Sequence, residues 1–196
     1  MAEPPKNSTA PLGRAEWRVW LERHHGRGEG VWLVRYKKGS GRPVLTTDEM
    51  VEEAIAFGWI DSVPKKLDAD RHLVWVAPRQ PGSNWSRLSK ERAGRMEAAG
   101  QMTEAGRRAV EHAQADGSWT ALDDVESLVI PDDLGGALDA APPARAEWDG
   151  FPPSTRRGIL EWILNAKRDT TRAKRIEETA RLAQRGKRPN QWPREG

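Results

Sequence analysis

The sequence predicts an α+β fold, in which a small, mostly antiparallel sheet carries flanking helices and a C-terminal helical extension. Apolar residues in the first half of the chain alternate between helical and strand-like spacing, whereas the second half shows helical spacing alone. The length of 196 residues suits one domain with an appendage. Hydrophobic residues make up only 37%, but ten Trp supply large apolar side chains, so a core can form.

The first predicted elements follow a polar, Pro-rich stretch, residues 1–13, which we interpret as a disordered leader. It lacks the apolar segment of a secretory signal, and we therefore expect a cytoplasmic protein. RAEWRVWLERHH has an apolar stripe at helical spacing, and GVWLVRYKK is typical of a strand. TTDEMVEEAIAFG predicts the clearest helix, because Thr46 and Glu49 have the spacing of a capping box and Gly58 can end it.

A hairpin and two helices complete the predicted α+β domain, residues 14–118. WIDSVPKKLD and HLVWVAPR are interpreted as its two strands, and Pro64 makes the first an edge strand or a bulged one. Residues 87–99 and 104–115 have helical patterns, with Gly100 ending the first helix.

The charge of the chain changes sign after Trp119. Residues 119–149 carry eight acidic residues and one basic residue, are rich in Ala, Pro and Gly, and are interpreted as a linker with short helical turns. Residues 150–192 form a basic helical segment, with eleven basic and four acidic residues between 156 and 188. In one interpretation the two segments compensate each other's charge or stay solvated. In the alternative, Arg172, Lys174 and Arg175 bind a nucleic acid or an anionic surface.

Several kinds of site are not expected. The chain has no Cys, which excludes disulfides, thiolate-bound metals and a Cys nucleophile. The adjacent His24 and His25 point about 100° apart on a helix and cannot chelate one metal from a single face, with His24 on the apolar stripe and His25 outside it. No phosphate-binding glycine motif is present, no run of apolar residues is long enough for a transmembrane segment, and we expect neither a metal nor a cofactor.

The candidate ligand site combines two predicted loops. Asp61 follows the strand start FGWI, with Lys65 or Lys66 as its expected charge partner. APRQPGSNWS leaves the hairpin ahead of a helix, and its polar and aromatic residues suit an anionic or planar ligand. Both loops also allow purely structural roles, an ion pair for Asp61 and a helix cap beside a core Trp. If the loops converge, the contact residues are Asp61, Lys65, Lys66, Arg79, Asn84, Trp85 and Ser86.

The chain resembles the YdeI/OmpD-associated family, also called the bacteriocin-protection family. The resemblance spans roughly residues 14–192 and is carried by WRVWLERHH, GVWLVRYKKGSG, LTTDEMVEEAIAFGWIDS, KKLD, APRQPGSNWS, KERAGRM, GQMTEAG and FPPSTRRGILEWILNAKRDTTRAKRI. The resemblance implies a bacterial protein linked to tolerance of bacteriocins or cationic antimicrobial peptides, and some relatives are associated with a porin. Ser89 stands before Lys90 where the family pattern suggests Asn.

These observations predict a non-catalytic binding protein associated with antimicrobial or envelope-stress tolerance. Its partner would be a small anionic or planar molecule or another protein. Two alternatives remain: a nucleic-acid or anionic-surface binder acting through the basic C-terminal helices, and a small-molecule enzyme with a pocket around Asp61.

Overall fold

The computed structural model describes residues 2–189, and the chain divides into two compact units, Met1–Thr120 and Ala121–Gly196. Unit 1 contains every strand of the described chain. The strands are Ser8–Thr9 (β1), Val31–Tyr36 (β2), Trp59–Asp61 (β3), Lys65–Lys66 (β4) and Arg71–Pro78 (β5). The helices of unit 1 are Arg14–His24 (α1), Thr47–Ala56 (α2), Arg87–Ala98 (α3) and Glu104–Ala115 (α4). The predicted α+β class is confirmed.

The sheet has the strand order β1-β2-β5-β3, with β4 also paired to β5. β2, β3 and β4 are each antiparallel to β5, with Leu33 opposite Val74 and Asp61 opposite Val76, whereas β1 runs parallel to β2. The sheet is therefore mixed, with antiparallel pairs in the majority.

The polar stretch that the sequence analysis interprets as a disordered leader contains a short strand. Ser8 and Thr9 form β1, and the backbone carbonyl of Ala2 accepts a hydrogen bond from Arg71 at 2.5 Å. This pairing adds a strand at the exposed edge of β2 and satisfies backbone groups that would otherwise face water. The two residues of β1 are too few to show strand periodicity in the sequence, so β1 depends on its pairing with β2.

The core of unit 1 lies between one face of the sheet and the helices. Trp17 and Leu21 of α1, together with Met50 and Ala54 of α2, are at most 1% exposed. The indole nitrogen of Trp17 donates to the Met50 carbonyl at 3.1 Å, which satisfies the one polar atom of this buried side chain.

Local signals fix the ends of α2 as the sequence predicts. Thr46 and Glu49 form both halves of a capping box. Gly58 follows the helix with a φ of +74°, a conformation that glycine adopts without strain. A side chain at this position would also place its Cβ 2.9 Å from the Ala105 carbonyl oxygen.

The stretch WIDSVPKKLD forms two short strands rather than one. β3 ends at Asp61 and β4 begins at Lys65, with the exposed Pro64 between them. Both strands pair only with β5, so this region is an edge of the sheet.

Unit 2 has helices joined by turns, and its described residues form no strand. Its helices are Asp123–Glu126 (α5), Asp132–Asp139 (α6), Ala144–Asp149 (α7), Pro153–Leu164 (α8) and Asp169–Ala183 (α9). No helix within residues 2–189 is both long and apolar enough to cross a membrane.

Apolar residues of the acidic segment, from Leu122 to Trp148, belong to the core of unit 2. Leu134, Leu138 and Trp148 are fully buried, in one cluster with Ile159 and Ile163 of α8. The two leucines lie four residues apart and therefore share one face of α6. The short helical turns expected there are present, but the acidic composition of the segment concealed its apolar face.

Candidate functional site

Two loops that are separate in sequence meet at the edge of the sheet in unit 1. Asp61 ends β3, and the backbone N–H of Arg79, just after β5, donates to the Gly58 carbonyl at 2.9 Å. The Arg79 guanidinium lies 3.7 Å from the centre of the Trp85 ring, and its Nη1 donates to the Asn84 carbonyl at 3.1 Å. Asp61, Arg79, Asn84 and Trp85 thus occupy one region.

Asp61 is surrounded by arginines rather than lysines. Burial raises the pKa of the Asp61 carboxyl above its ordinary value, and the positive charges of Arg92, Arg79 and Arg35 oppose this rise. Burial lowers the pKa of the Arg79 guanidinium to about 10, against the effect of Asp61. Asp61 forms no ion pair with any side chain between residues 2 and 189, so the arginines act on it at a distance.

Arg35 belongs to the face of β2 that carries Val31 and Leu33, because side chains two residues apart on a strand share a face. Its Nε and Nη2 donate to the Leu45 carbonyl at 2.9 and 2.6 Å, and Nη2 also reaches the Thr47 hydroxyl at 3.2 Å. This fork ties the strand to the start of α2 and holds the guanidinium in one orientation.

Arg92 projects from α3 and is only 8% exposed. Its Nη2 lies 2.5 Å from a carboxylate oxygen of Asp48, in the first turn of α2. The Nε atoms of Arg92 and Arg79 are both buried without a hydrogen-bond partner in the described structure. Buried donors of this kind are rare in folded proteins, and both of these belong to arginines whose charges act on Asp61.

An open groove of about 680 Å³ adjoins this cluster, and we call it the basic groove. It is lined by Arg35, Tyr36, Lys37, Lys38, Val44, Thr46, Thr47, Asp48, Pro64 and His72. Arg35 belongs to both the groove and the cluster, and Asp48 connects the groove to Arg92. Three basic side chains, Arg35, Lys37 and Lys38, line the groove with one carboxylate, Asp48, which is itself paired with Arg92. Burial lowers the pKa of the Arg35 guanidinium from its ordinary value. The groove therefore has the charge and size to hold a small anion.

The other predicted contact residues do not join this site. Lys65 and Lys66 are exposed on β4, and the Lys65 ammonium lies 5.3 Å from the centre of the Trp32 ring. No ion pair joins Asp61 to Lys65 or Lys66 within residues 2–189, and the pairing of Asp61 with a lysine stays a prediction.

Trp85 and Ser86 have structural surroundings. Trp85 is 1% exposed and contacts Trp119, with 5.0 Å between ring centres, so it offers no face to a planar ligand. The Ser86 hydroxyl caps α3 by accepting from the N–H of Ser89 at 3.2 Å, and the two hydroxyls lie 3.0 Å apart. Ser89, where the family pattern suggests Asn, thus supports the cap.

The basic residues proposed for the alternative site are mostly engaged within unit 2. Arg172 forms a two-pronged contact with Asp133 at 2.7 and 2.9 Å. Arg175 donates to the Trp162 carbonyl and lies 4.9 Å from the centre of that ring. Lys174 is exposed. Because Arg172 and Arg175 already have partners within unit 2, they are less available to bind an anion.

The histidine pair occupies positions opposite to those predicted. His24 is exposed and stacks on Trp20 at 4.5 Å, whereas His25 is half-buried beside Phe57. Within residues 2–189, no cluster of three or more His, Asp or Glu side chains is arranged to hold a metal ion.

Sequence reasoning missed Arg35, Arg92 and Asp48, although two of them carry a signal. Arg35 continues the alternation of Val31 and Leu33, and Arg92 lies one helical turn before the buried Met96. A charged residue at an expected core position is a stronger indication of a site than one in a loop.

The fold and site define an α+β protein whose unit 1 carries a groove lined by Arg35, Lys37 and Lys38. The chain belongs to the family described as Domain of unknown function (DUF8412), whose model matches residues 10–109. Residues 127–186 match the family described as Bacteriocin-protection, YdeI or OmpD-Associated, which confirms the resemblance over that region. Comparison with curated proteins and with solved structures gave no match in either case.

Proposed function

We propose that this protein is a non-catalytic binding protein that holds a small anion, bearing carboxylate or phosphate groups, in the basic groove of unit 1. One observation carries the proposal: the guanidinium of Arg35 is fixed by the Leu45 carbonyl and the Thr47 hydroxyl while it lines a groove of positive charge. A preorganised guanidinium binds oxyanions with little further loss of side-chain entropy.

Basic side chains, rather than the N-terminus of a helix, would neutralise the negative charge of the ligand. The N-terminus of α2 borders the groove, but the carboxylate of Glu49 already accepts from the backbone N–H of Thr46 at 2.8 Å. That carboxylate occupies the position where an anion would otherwise bind. Arg35, Lys37 and Lys38 therefore supply the attraction, and the ammonium of Lys37 is held between the Asp68 and Ala69 carbonyls.

Binding without catalysis fits the position of Asp61. This carboxyl has a raised pKa, which is common in a general acid or base. It is not among the residues that line the basic groove, however, and three arginines lie around it. We infer that Asp61 offsets the positive charge of the cluster instead of transferring protons. A planar ligand stacked on Trp85 is not part of the proposal, because that ring is covered.

A role in bacteriocin protection is supported by the family match at residues 127–186. The anion site would then be the ligand-binding function of a protein that contributes to this tolerance. A porin partner and a cytoplasmic location stay predictions from the resemblance and the sequence.

The test is isothermal titration calorimetry of the full chain with phosphate, pyrophosphate and citrate, at low ionic strength. Lys38→Ala removes a groove charge on an exposed side chain, and Arg23→Ala removes one from the exposed face of α1 as the matched control. We expect Lys38→Ala and Arg35→Gln to weaken binding of at least one anion by about tenfold or more, since a charge-assisted hydrogen bond contributes roughly 1.5–3 kcal/mol. Arg23→Ala should bind as the wild type does.

Equal binding by the wild type and Lys38→Ala, or no binding of any anion, would contradict the proposal. Duplex DNA in the same assay tests the alternative function. DNA binding that depends steeply on salt, and that Lys174→Ala weakens while Lys38→Ala does not, would move the anion-binding function to unit 2.

A further inference from the structure

A second cavity of unit 1 lies between α3 and α4 and shares no residue with the basic groove. Its volume is about 310 Å³, and we call it the α3–α4 pocket. It is lined by Lys90, Ala93, Gly94, Glu97, Met102, Arg107, Val110, Glu111 and Trp119. This volume lies at the lower end of the range for small-molecule sites, which is about 300–1,000 Å³.

Small residues on α3 create the space. Ala93 and Gly94 face the pocket, and a Cβ added at Gly94 would meet no atom within 4 Å. Gly94 has no side chain and is exposed, so it adds no atoms that would narrow the pocket, although glycine in a helix interior destabilises the helix relative to alanine.

Apolar surface forms most of the wall. Met102 and Val110 contribute aliphatic groups, and Trp119 contributes an aromatic side chain that is only partly buried. The Trp119 ring packs against Trp85, and its backbone N–H donates to the Ala113 carbonyl at 2.9 Å. Trp119 is thus fixed in place, which makes it a rigid surface for stacking.

The charged side chains at the pocket balance one another. Nε of Arg107 donates to both carboxylate oxygens of Glu97, at 3.1 and 3.0 Å. The Lys90 ammonium lies 5.6 Å from the centre of the Trp119 ring, and Glu111 supplies the second carboxylate. Two cations and two carboxylates leave no excess charge to attract an ionic ligand.

We propose that the α3–α4 pocket binds a small uncharged aromatic molecule, one or two rings in size, against Trp119. The apolar wall and the balanced charge select against ions, and the volume selects against larger ligands. This site is separate from the anion site and does not depend on it.

Indole serves as the probe, titrated into the full ¹⁵N-labelled chain and followed by NMR at the indole N–H of Trp119 and the amide of Gly94. Gly94→Leu fills the pocket from an open helical position, whereas Gly94→Ala leaves most of the volume and is the matched control. Circular dichroism checks that both variants keep the wild-type helix content.

We expect saturable shifts at Trp119 and Gly94 in the wild type and in Gly94→Ala, and at least tenfold weaker binding in Gly94→Leu. Indole-3-acetate, which adds a negative charge to the same rings, should bind more weakly than indole. The proposal is overturned if the Trp119 signal does not saturate up to the solubility limit of indole. It is equally overturned if Gly94→Leu binds indole as the wild type does, or if the charged analogue binds as well as indole.

Discussion

Two glycines in helices of the same unit should respond in opposite directions to one substitution. Gly106 lies in the first turn of α4, where an added Cβ would be 2.4 Å from the Ala56 carbonyl oxygen and 2.5 Å from the sulfur of Met102. Gly94 lies in α3, where an added Cβ would contact nothing. Replacement of each by alanine therefore separates helix propensity from packing.

The expected loss at Gly106 follows from the groups that would have to move. The Ala56 carbonyl is backbone and cannot rotate away, and it accepts from the backbone N–H of Thr103 at 3.1 Å and from its hydroxyl at 2.6 Å. A shift that relieves the clash stretches both hydrogen bonds at the start of α4. Overpacking of this kind costs about 1–3 kcal/mol, more than the gain of up to about 1 kcal/mol from helix propensity.

Urea unfolding of the full-length variants measures the difference. Gly106→Ala should lower the free energy of unfolding by about 1–2 kcal/mol, and Gly94→Ala should raise it by about 0.5–1 kcal/mol. The slope of the transition should stay unchanged in both. If Gly106→Ala stabilised the protein as much as Gly94→Ala, the close approach of α4 to the end of α2 would be refuted.

Three further substitutions test other parts of the structure by urea unfolding. Asp61→Asn should raise the free energy of unfolding at pH 7, because the raised pKa of Asp61 in the folded state means that its charged form destabilises the fold at a pH above that pKa. The gain should shrink as the pH falls towards the pKa of an unfolded Asp, about 3.9. A lower free energy of unfolding for Asp61→Asn at pH 7 would contradict the reasoning. Thr46→Ala should cost about 1 kcal/mol through loss of the capping box, whereas Thr46→Ser should cost much less; equal losses would argue against capping. Leu138→Ala should cost about 2–5 kcal/mol if the acidic segment is packed, while Val129→Ala, at a side chain 49% exposed, should change stability little.

Much of unit 1 follows from the sequence because its signals are local. The apolar spacing of α1 and α2 and the alternation within β5 predict their elements, and Thr46 with Glu49 predicts where α2 begins. β1 has no such signal, since its pairing depends on the edge of β2. The acidic composition of residues 119–149 predicts a linker, whereas the spacing of Leu134 and Leu138 indicates an apolar helix face.

The sequence predicts only those parts of the candidate site whose residues lie close together along the chain. Arg79, Asn84 and Trp85 are close in sequence, and their contacts follow from one loop. Arg35 and Arg92 reach Asp61 from elements far along the chain, and only the tertiary structure brings these charges together. Asp61, Lys65 and Lys66 are also close in sequence, but nearness in sequence does not fix the direction of side chains on two separate strands.

The central claim, that a small anion binds at Arg35 in the basic groove, is tested most directly by NMR of the arginine side chains. Pyrophosphate is titrated into the ¹⁵N-labelled chain while the Nε–H signals of Arg35 and the exposed Arg23 are followed at constant ionic strength. We predict a saturating shift at Arg35 and none at Arg23. A shift of equal size at both, or a saturating response confined to the arginines of unit 2, would contradict the account.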